Sequence, residues 1–331
     1  MSTIGIIANP ASGKDIRRLV SHATVVDNNE KVNIVKRIIL AAQGAGITEV
    51  VVMPDTFLIG YKAGEELKGS KELRVPVEIL EMRVRGSVED TILATKLMEE
   101  KGVNCIIALG GDGTSRAVAK SITATPLISI STGTNNVYPE MLEGTVVGIA
   151  AAAISTNVCD MGETCRRDKR IEIYKGGEMI DIALVDCVIS KQTYIGSKAI
   201  WKPADIQKVI VSRANPASIG FSTIVGVKKL VNEEDDFGAS INVNIGDNQL
   251  VAPIAAGTMK AIRVDEPIIH PLGELFSWTM EYKGIMALDG EREIPFKKGD
   301  TFQFKITRDG PYRVNIKRTI MSAQKNGFFN R

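Results

Sequence analysis

The chain is poor in the residues that build metal sites and disulfide bonds. It has only four cysteines and two histidines among 331 residues. The cysteines form no Cys-x-x-Cys pair and the histidines lie far apart, so we expect no zinc site. Cys105 and Cys187 stand within apolar runs, which is typical of thiols buried in a core. This usage predicts a reducing compartment and no disulfide bonds.

The sequence also lacks an excess of charge of one sign and long apolar runs. The formal net charge of +2 is too small to indicate a nucleic-acid-binding protein. The densest basic patch, residues 166–170, is interpreted as a solvated loop, with a phosphate-facing role as the alternative. No apolar run approaches the roughly 18 residues of a membrane-spanning helix, and no signal-peptide pattern opens the chain. We therefore expect a cytoplasmic protein that binds neither nucleic acid nor membranes.

The first half of the chain alternates between strand and helix patterns. Ser87 and Asp90 resemble a capping box at the start of one helix. Such alternation predicts a Rossmann-like parallel sheet with helices on both faces. Strands are predicted at residues 3–8, 49–53, 77–80, 105–110 and 127–130, and helices at 31–45, 57–67, 87–101, 115–122 and 144–154.

After about residue 160 the pattern changes to short strands separated by Gly and Asp turns. A hairpin over residues 170–189 and strands at 218–225, 239–245 and 249–253 are among those predicted. We therefore expect an α/β nucleotide-binding domain at residues 1–157 and a mostly antiparallel β-rich domain at 158–331. The C-terminal segment could pack back on the first domain, and the cleft between the domains is the expected ligand site.

Three loops of small residues follow predicted strands. In a parallel sheet such loops open at one edge, at the carboxyl ends of the strands. Glycine lets a ligand approach the backbone closely, and a helix N-terminus offers unpaired N–H groups, so we expect these loops to hold phosphate. The candidate binding residues are Asn9, Ser12, Gly13 and Lys14 in the first loop, Gly110, Gly111, Gly113 and Thr114 in the second, and Thr132, Gly133, Thr134, Asn135 and Asn136 in the third.

Two familiar nucleotide-binding signatures do not fit these loops. A Walker loop ending at Gly13 and Lys14 needs glycine where the chain has Ala8 and a hydroxyl residue where it has Asp15. A Rossmann fingerprint that begins at Gly111 needs glycine at the position of Arg116. An ordinary P-loop ATPase and an NAD dehydrogenase are therefore disfavoured.

Asp112 lies within the second loop, and Asp289 and Glu291 flank a predicted Asp-Gly turn. A carboxylate beside bound phosphates could accept a proton from an attacking hydroxyl or hold Mg²⁺. The alternative for Asp112 is a helix N-cap, and for the turn a purely structural hairpin. The Asn135–Asn136 pair could instead form an Asx turn that opens a helix, and Lys14 could be solvated rather than bound to phosphate.

These residues resemble motifs of the superfamily of NAD kinases and diacylglycerol or sphingosine kinases. Gly110–Thr114 matches the loop that both branches share, and Asn9–Lys14 resembles the opening motif of the lipid-kinase branch. Gly133–Asn136 is similar to that branch's Gly-Thr-x-Asn-Asp, with Asn where an acid is usual, and Asp289–Glu291 resembles its late Asp-Gly-Glu. The stretch Ser131–Pro139 is most similar to the AcoX proteins, the ATP-NAD-kinase-like proteins encoded beside acetoin-catabolism genes.

The resemblance implies an NAD-kinase-like fold, with ATP across the glycine loops, Mg²⁺ as cofactor and a homo-oligomeric state. As in NAD kinases, Asp112 would activate the acceptor hydroxyl or position Mg²⁺. As in lipid kinases, the base would be an acid of the turn, Glu291 rather than Asp289. The implied function is an ATP-dependent small-molecule kinase with NAD as the default acceptor. Because Asn136 replaces an acid, a weakly active nucleotide-binding regulator in acetoin catabolism is an alternative, and a lipid kinase is another.

Overall fold

The computed structural model describes residues 1–13, 24, 26–191 and 203–330. Its first half alternates strands and helices, as the sequence predicts. The elements are β1 (Thr3–Ala8), α1 (Asn28–Gly44), β2 (Glu49–Val52), α2 (Ile59–Gly69), β3 (Val77–Ile79), α3 (Val88–Glu100), β4 (Cys105–Gly110), α4 (Asp112–Ala119), β5 (Leu127–Ser131), α5 (Gly144–Ser155) and α6 (Met161–Thr164).

The second half is mostly strands. They are β6 (Cys165–Arg167), β7 (Arg170–Lys175), β8 (Glu178–Ala183), β9 (Asp186–Ser190), β10 (Ile206–Val211), β11 (Phe237–Ala255), β12 (Thr258–Val264), β13 (Ile268–Pro271), β14 (Leu275–Thr279), β15 (Gly284–Leu288), β16 (Glu291–Phe296), β17 (Thr301–Thr307) and β18 (Tyr312–Val314). The helices are α7 (Ser222–Lys228) and α8 (Ile316–Lys325).

A seven-stranded sheet in the order β3-β2-β1-β4-β5-β18-β6 organises the first half. Strands β1 to β5 pair in parallel, and β1, β4 and β5 are buried along their whole length, which explains their continuous apolar sequences. Helices cover both faces, with separate apolar clusters on each. Because β1, β4 and β5 are neighbours, the loops that follow them emerge side by side.

Two antiparallel sheets make up most of the second half. One has the strand order β12-β11-β10-β9-β15-β16, with β13 added beside β11, and the other has the order β14-β17-β7-β8. Apolar side chains from both sheets share one core, which includes Ile173, Cys187, Ile210 and Phe304. The predicted α/β class, with a parallel first sheet and an antiparallel second part, is confirmed.

The end of the chain returns to the first sheet. Strand β18 pairs in parallel with β5 and antiparallel with β6. Helix α8 then packs beside α5, where Ala323 and the following Phe328 join the core of the first half. Asn315 caps this helix by accepting a hydrogen bond from the Arg318 N–H at 2.9 Å.

One predicted strand in the second half is wrong, and two others are parts of a single strand. Residues 218–225 are predicted as a strand, but helix α7 begins at Ser222 and buries Ile224 and Val225 against β10 and β11. This apolar packing overrides the strand preference of its β-branched residues. The strands predicted at 239–245 and 249–253 are one continuous strand, β11, whose pairing with β12 is irregular between Val243 and Asn248.

The predicted hairpin over 170–189 is only partly correct. Strands β7 and β8 do form a hairpin, but the chain leaves that sheet at Leu184 and Val185 and enters the other sheet as β9. At this crossing the N–H groups of Leu184 and Val185 donate to the carboxylate of Asp289 at 2.7–2.8 Å instead of to a neighbouring strand. The capping box predicted at Ser87 and Asp90 is confirmed.

The cysteines contribute apolar burial rather than cross-links. All four are free, and Cys105, Cys159 and Cys187 are buried. Burial raises the pKa of the Cys165 thiol to about 11, so it is protonated at neutral pH.

The described residues contain no cluster of three His, Cys, Asp or Glu side chains that could hold a metal ion. None of the helices in these ranges is long and apolar enough to cross a membrane.

His270 in β13 is a buried titratable group. Its Nε2 lies 2.8 Å from the Ser240 hydroxyl, and its ring stacks on Phe276 with the centroids 3.6 Å apart. Burial, together with the nearby Lys208 ammonium, lowers the pKa of His270 to about 4. Unfolding restores a pKa of about 6.5, so the unfolded chain takes up this proton first as the pH falls.

We expect the free energy of unfolding to decrease as the pH drops from about 6.5 to 4, by at most about 1.4 kcal/mol per pH unit from this group. The variant His270→Phe can keep the stack on Phe276 but has no imidazole, so its stability should depend less on pH. Denaturant unfolding of both proteins at several pH values measures this difference in pH dependence. Protonation of carboxylates affects both proteins alike and therefore cancels in the comparison. Parallel stability curves would contradict the assignment.

Candidate functional site

A cavity of about 660 Å³ opens at the carboxyl ends of β1, β4 and β5. The three predicted loops and the turn between β15 and β16 all contribute to its wall. Gly110 and Thr132 lie behind the lining, and Lys14 lies outside the described residues. The predicted residues that line the cavity are Asn9, Ser12, Gly13, Gly111, Asp112, Gly113, Thr114, Gly133, Thr134, Asn135, Asn136, Asp289 and Glu291.

In the second loop, other side chains occupy the space where a Cβ at each glycine would lie. A Cβ at Gly111 would lie 2.9 Å from Asn136 Oδ1, and a Cβ at Gly113 would lie 2.6 Å from Glu291 Oε1. A Cβ at Gly110 would collide with the Thr114 side chain. The glycines therefore let the third loop and the β15–β16 turn approach the start of α4.

Asp112 stands in the first turn of α4, and the N-cap is Gly111, so the N-cap alternative for Asp112 is wrong. Its Oδ1 accepts hydrogen bonds from the N–H groups of Val137 at 3.0 Å and Tyr138 at 2.7 Å. Its Oδ2 lies 3.1 Å from the same Val137 N–H. The carboxylate thus fastens the end of the third loop to the beginning of α4.

The third loop is held by its own side chains. Asn136 Nδ2 donates to Ser131 Oγ at 2.8 Å and to the Gly133 carbonyl at 3.2 Å. A carboxylate at position 136 would have no N–H to donate to these oxygens. No helix starts here, since α5 begins only at Gly144, so the alternative of an Asx turn that opens a helix is wrong.

The first loop rests on a buried lysine that sequence reasoning did not single out. Lys31 of α1 is completely buried, and its Nζ donates to the carbonyls of Asn9 at 2.9 Å and Ser12 at 2.8 Å. Asn9 Nδ2 in turn donates to Thr114 Oγ1 at 2.9 Å, and Thr132 Oγ1 donates to Ser12 Oγ at 2.9 Å. All three loops are therefore linked by hydrogen bonds.

A fourth segment of the wall was also not predicted. Residues 53–57 follow β2 at the same sheet edge and bring Asp55 to the cavity, and the start of α3 brings Asp90. The strand ending before Pro54 was a usable signal, because the rule that groups loops at the carboxyl ends of parallel strands applies to β2 as well.

Five acids line the cavity, and four of them are engaged in hydrogen bonds to backbone N–H groups. Burial is the largest influence on two of these acids and raises the pKa of both Asp55 and Asp289. The donors are Phe57 and Ile59 for Asp55, Arg85 and Gly86 for Asp90, Val137 and Tyr138 for Asp112, and Leu184, Val185 and Asp186 for Asp289.

Glu291 differs from the other four acids. Within the described residues its carboxylate makes no hydrogen bond or ion pair, and it is half-buried beside Gly113. The side chain of Asp289, by contrast, is fully buried, and its Oδ2 lies 4.0 Å from Nε of the buried Arg116. Within the described residues, the turn thus presents one acid without a partner and one that is hydrogen-bonded to the backbone.

Acids outnumber bases in the described part of the cavity wall. Five carboxyl groups of the described residues line it, and none of their lysines or arginines does. The first turn of α4 adds backbone N–H groups, which an anion in the cavity could reach.

Comparisons with known proteins agree with this architecture. The model of the ATP-NAD kinase N-terminal domain matches residues 4–158, and that of the acetoin catabolism protein X C-terminal domain matches residues 169–309. The chain is 38% identical over 309 residues to acetoin catabolism protein X of Cupriavidus necator, with 90% of this chain and 85% of that protein covered.

Among solved structures, yeast NADH kinase complexed with NADH has a TM-score of 0.55 at 13% identity, covering 98% of this chain and 87% of its own. An NAD kinase from Archaeoglobus fulgidus in complex with ATP has a TM-score of 0.47 at 13% identity, covering 84% of this chain and 97% of its own. At this identity the likeness to the yeast enzyme shows the fold, which is NAD-kinase-like as predicted.

The two glycines that approach other loops should respond differently to alanine. At Gly113 the obstructing atom is the end of the Glu291 side chain, which no described residue holds and which can turn away, so we expect Gly113→Ala to cost less than about 1 kcal/mol of stability. At Gly111 the obstructing Asn136 is held by two hydrogen bonds, and displacing it should cost about 1–3 kcal/mol. Denaturant unfolding measures both. Equal losses would show that Asn136 is not fixed as described.

Proposed function

The chain belongs to the acetoin catabolism protein X family, and on that premise we propose that it is an ATP-dependent kinase that phosphorylates a hydroxyl group of a small molecule. The observation that carries the proposal is the position of Glu291, an acid without a partner among the described residues beside the glycine loop of α4. NAD is the default acceptor, since the matched N-terminal domain model is that of ATP-NAD kinases.

The phosphates of ATP would bind at the start of α4. The N–H groups in the first turn of a helix have no intrahelical acceptor, and glycine permits close approach to them. Gly111, Asp112, Gly113 and Thr114 all line the cavity at this point. The Thr134 hydroxyl of the third loop accepts the Thr24 N–H and keeps its own proton to donate, so it would complete the phosphate site.

Glu291 would act as the general base. Its carboxylate accepts the proton of the acceptor hydroxyl while that oxygen bonds to the γ-phosphorus, and the bond to the β,γ-bridging oxygen breaks to release ADP. Asp112 and Asp289 are less suited to this step, because each already accepts at least two backbone hydrogen bonds. Their proposed role is to hold the third loop and the β15–β16 turn in place.

Magnesium fits this arrangement as a companion of the nucleotide. Mg²⁺ usually keeps several waters and binds one or two carboxylates together with substrate phosphates. Asp112, in the first turn of α4, is the carboxylate of the glycine loop that could contact it. When bound, it would offset the charge that develops on the transferred phosphoryl group.

A second candidate function is a nucleotide-binding regulator with little or no turnover. The observation that favours it is the engagement of Asp112 and Asp289 by backbone N–H groups, together with an amide at position 136. Such a protein would keep the phosphate-binding loops and lack efficient proton removal.

The two candidates are separated by a transfer assay with labelled ATP and Mg²⁺. The acceptor panel contains NAD, alcohols related to acetoin, and diacylglycerol in vesicles. Transfer to NAD or another soluble alcohol is the expected result, and transfer only to diacylglycerol would indicate a lipid kinase. If calorimetry detects ATP binding while no acceptor is phosphorylated, the regulator is favoured and the kinase proposal fails.

The variant Glu291→Gln should bind ATP as the parent protein does but turn over about 10²–10⁴ times more slowly, because the amide cannot accept the hydroxyl proton. Steady-state kinetics and calorimetry on the same preparation measure the two quantities. The matched control is Glu178→Gln, which removes an exposed carboxylate in the β7–β8 hairpin and should leave both unchanged. Undiminished turnover in Glu291→Gln would remove this residue from the mechanism.

A further inference from the structure

We infer that Tyr138 is a positioning residue of the candidate site, and that its ring, held against two arginines from the second half of the chain, keeps the backbone N–H groups of residues 137 and 138 on Asp112. The inference rests on the proposed function for its effect on turnover. Its structural content is testable without any turnover.

Tyr138 joins the site to a cluster of charged residues. The residue is fully buried, and its own N–H group is one of the donors to Asp112. The guanidinium carbon of Arg213 lies 4.8 Å from the ring centroid, and that of Arg313 lies 5.6 Å away. Cations within about 6 Å of an aromatic face are attracted by the ring quadrupole, more strongly when water is excluded.

The arginines are themselves fixed by acids. The buried Asp168 pairs with Arg213 Nη2 and with Arg313 Nε, both at 3.2 Å. Glu233 pairs with Arg213 Nη1 at 2.8 Å and also with Arg313 Nη2. Planar guanidinium groups held at several atoms have little freedom to rotate. They therefore present the Tyr138 ring with a rigid surface.

Glu140 anchors the other end of the same segment. Its carboxylate pairs with Arg313 Nη1 at 3.2 Å. Its carbonyl accepts the Ser131 N–H at 2.7 Å, and its N–H donates to the Ser129 carbonyl at 3.1 Å. Residues 137–140 are thus fixed to β5 on one side and to the arginines on the other. Movement of the arginines would be transmitted to the N–H groups that orient Asp112.

We assign this role to the aromatic ring of Tyr138, since both guanidinium groups lie within about 6 Å of its centroid. A phenylalanine would keep the aromatic face toward both guanidinium groups, whereas a leucine would fill part of the volume without attracting them. A suitable control is Phe302 in β17, which is also fully buried and has Lys175 Nζ 5.0 Å from its ring centroid. Phe302 belongs to the apolar core of the second half and does not line the cavity.

Hydrogen exchange of the full-length protein tests the structural claim directly. In Tyr138→Leu the amide protons of residues 137 and 138 should exchange at least about tenfold faster than in the parent protein, because their hold on Asp112 is loosened. Tyr138→Phe should restore slow exchange, and Phe302→Leu should leave these two amides as they are. If Tyr138→Leu does not fold, Arg313→Lys loosens the same contact while keeping the charge and should also speed exchange. Unchanged exchange in the folded variant overturns the inference.

Kinetics then test the link to the site. If the parent protein shows turnover, Tyr138→Leu should lower kcat by about tenfold or more, since small misplacements of reacting groups reduce the rate by about that factor. In the double variant with Asp112→Asn, Tyr138→Leu should lower kcat little further, because both changes disturb the same contact. In the double variant with Glu291→Gln, the two losses of kcat should multiply. Multiplicative losses with Asp112→Asn overturn the inference. A parent protein without turnover refutes the proposed kinase alone, since the exchange result stands apart from it.

Discussion

The carboxylate of Asp112 holds the third loop against the first turn of α4, and the shape of the cavity depends on this contact. Two backbone N–H groups, those of Val137 and Tyr138, converge on it. Gly111 is needed beside it because the third loop approaches so closely that a Cβ would lie 2.9 Å from Asn136 Oδ1. The surface at the start of α4, where we propose that phosphate binds, is thus shaped by the Asp112 carboxylate and by glycines that have no side chains.

The acids of the cavity differ in their hydrogen bonds, and this difference does not follow their sequence motifs. Asp289 occupies the same turn as Glu291, yet its carboxylate is buried and secures the crossing of the chain between the two antiparallel sheets. Within the described residues, the Glu291 carboxylate accepts no hydrogen bond from the backbone. A buried carboxylate that accepts several N–H bonds stabilises the fold, whereas an acid without a partner among the described residues is the one to which the proposed function assigns proton transfer.

Features encoded by local composition could be predicted from the sequence. The glycine loop at 110–114 and the Asp-Gly turn at 289–290 were located by residue type, and the rule for parallel strands brought the loops to one edge. The partners of Asp112 and Asp289 could not be predicted, because they are backbone groups 25 and about 104 residues away, whose positions depend on the tertiary fold. Helix α7 was mistaken for a strand for a related reason, since packing on β10 and β11 outweighs the preference of its β-branched residues.

Phosphate binding at the start of α4 can be tested with a crystal structure of the protein bound to ADP and Mg²⁺. The β-phosphate should lie within about 2.7–3.2 Å of backbone N–H groups in the segment from Gly111 to Thr114, with the Glu291 carboxylate facing the space beyond it. Nucleotide bound elsewhere, or a phosphate held away from that segment, would show that the glycine loop is not the phosphate site.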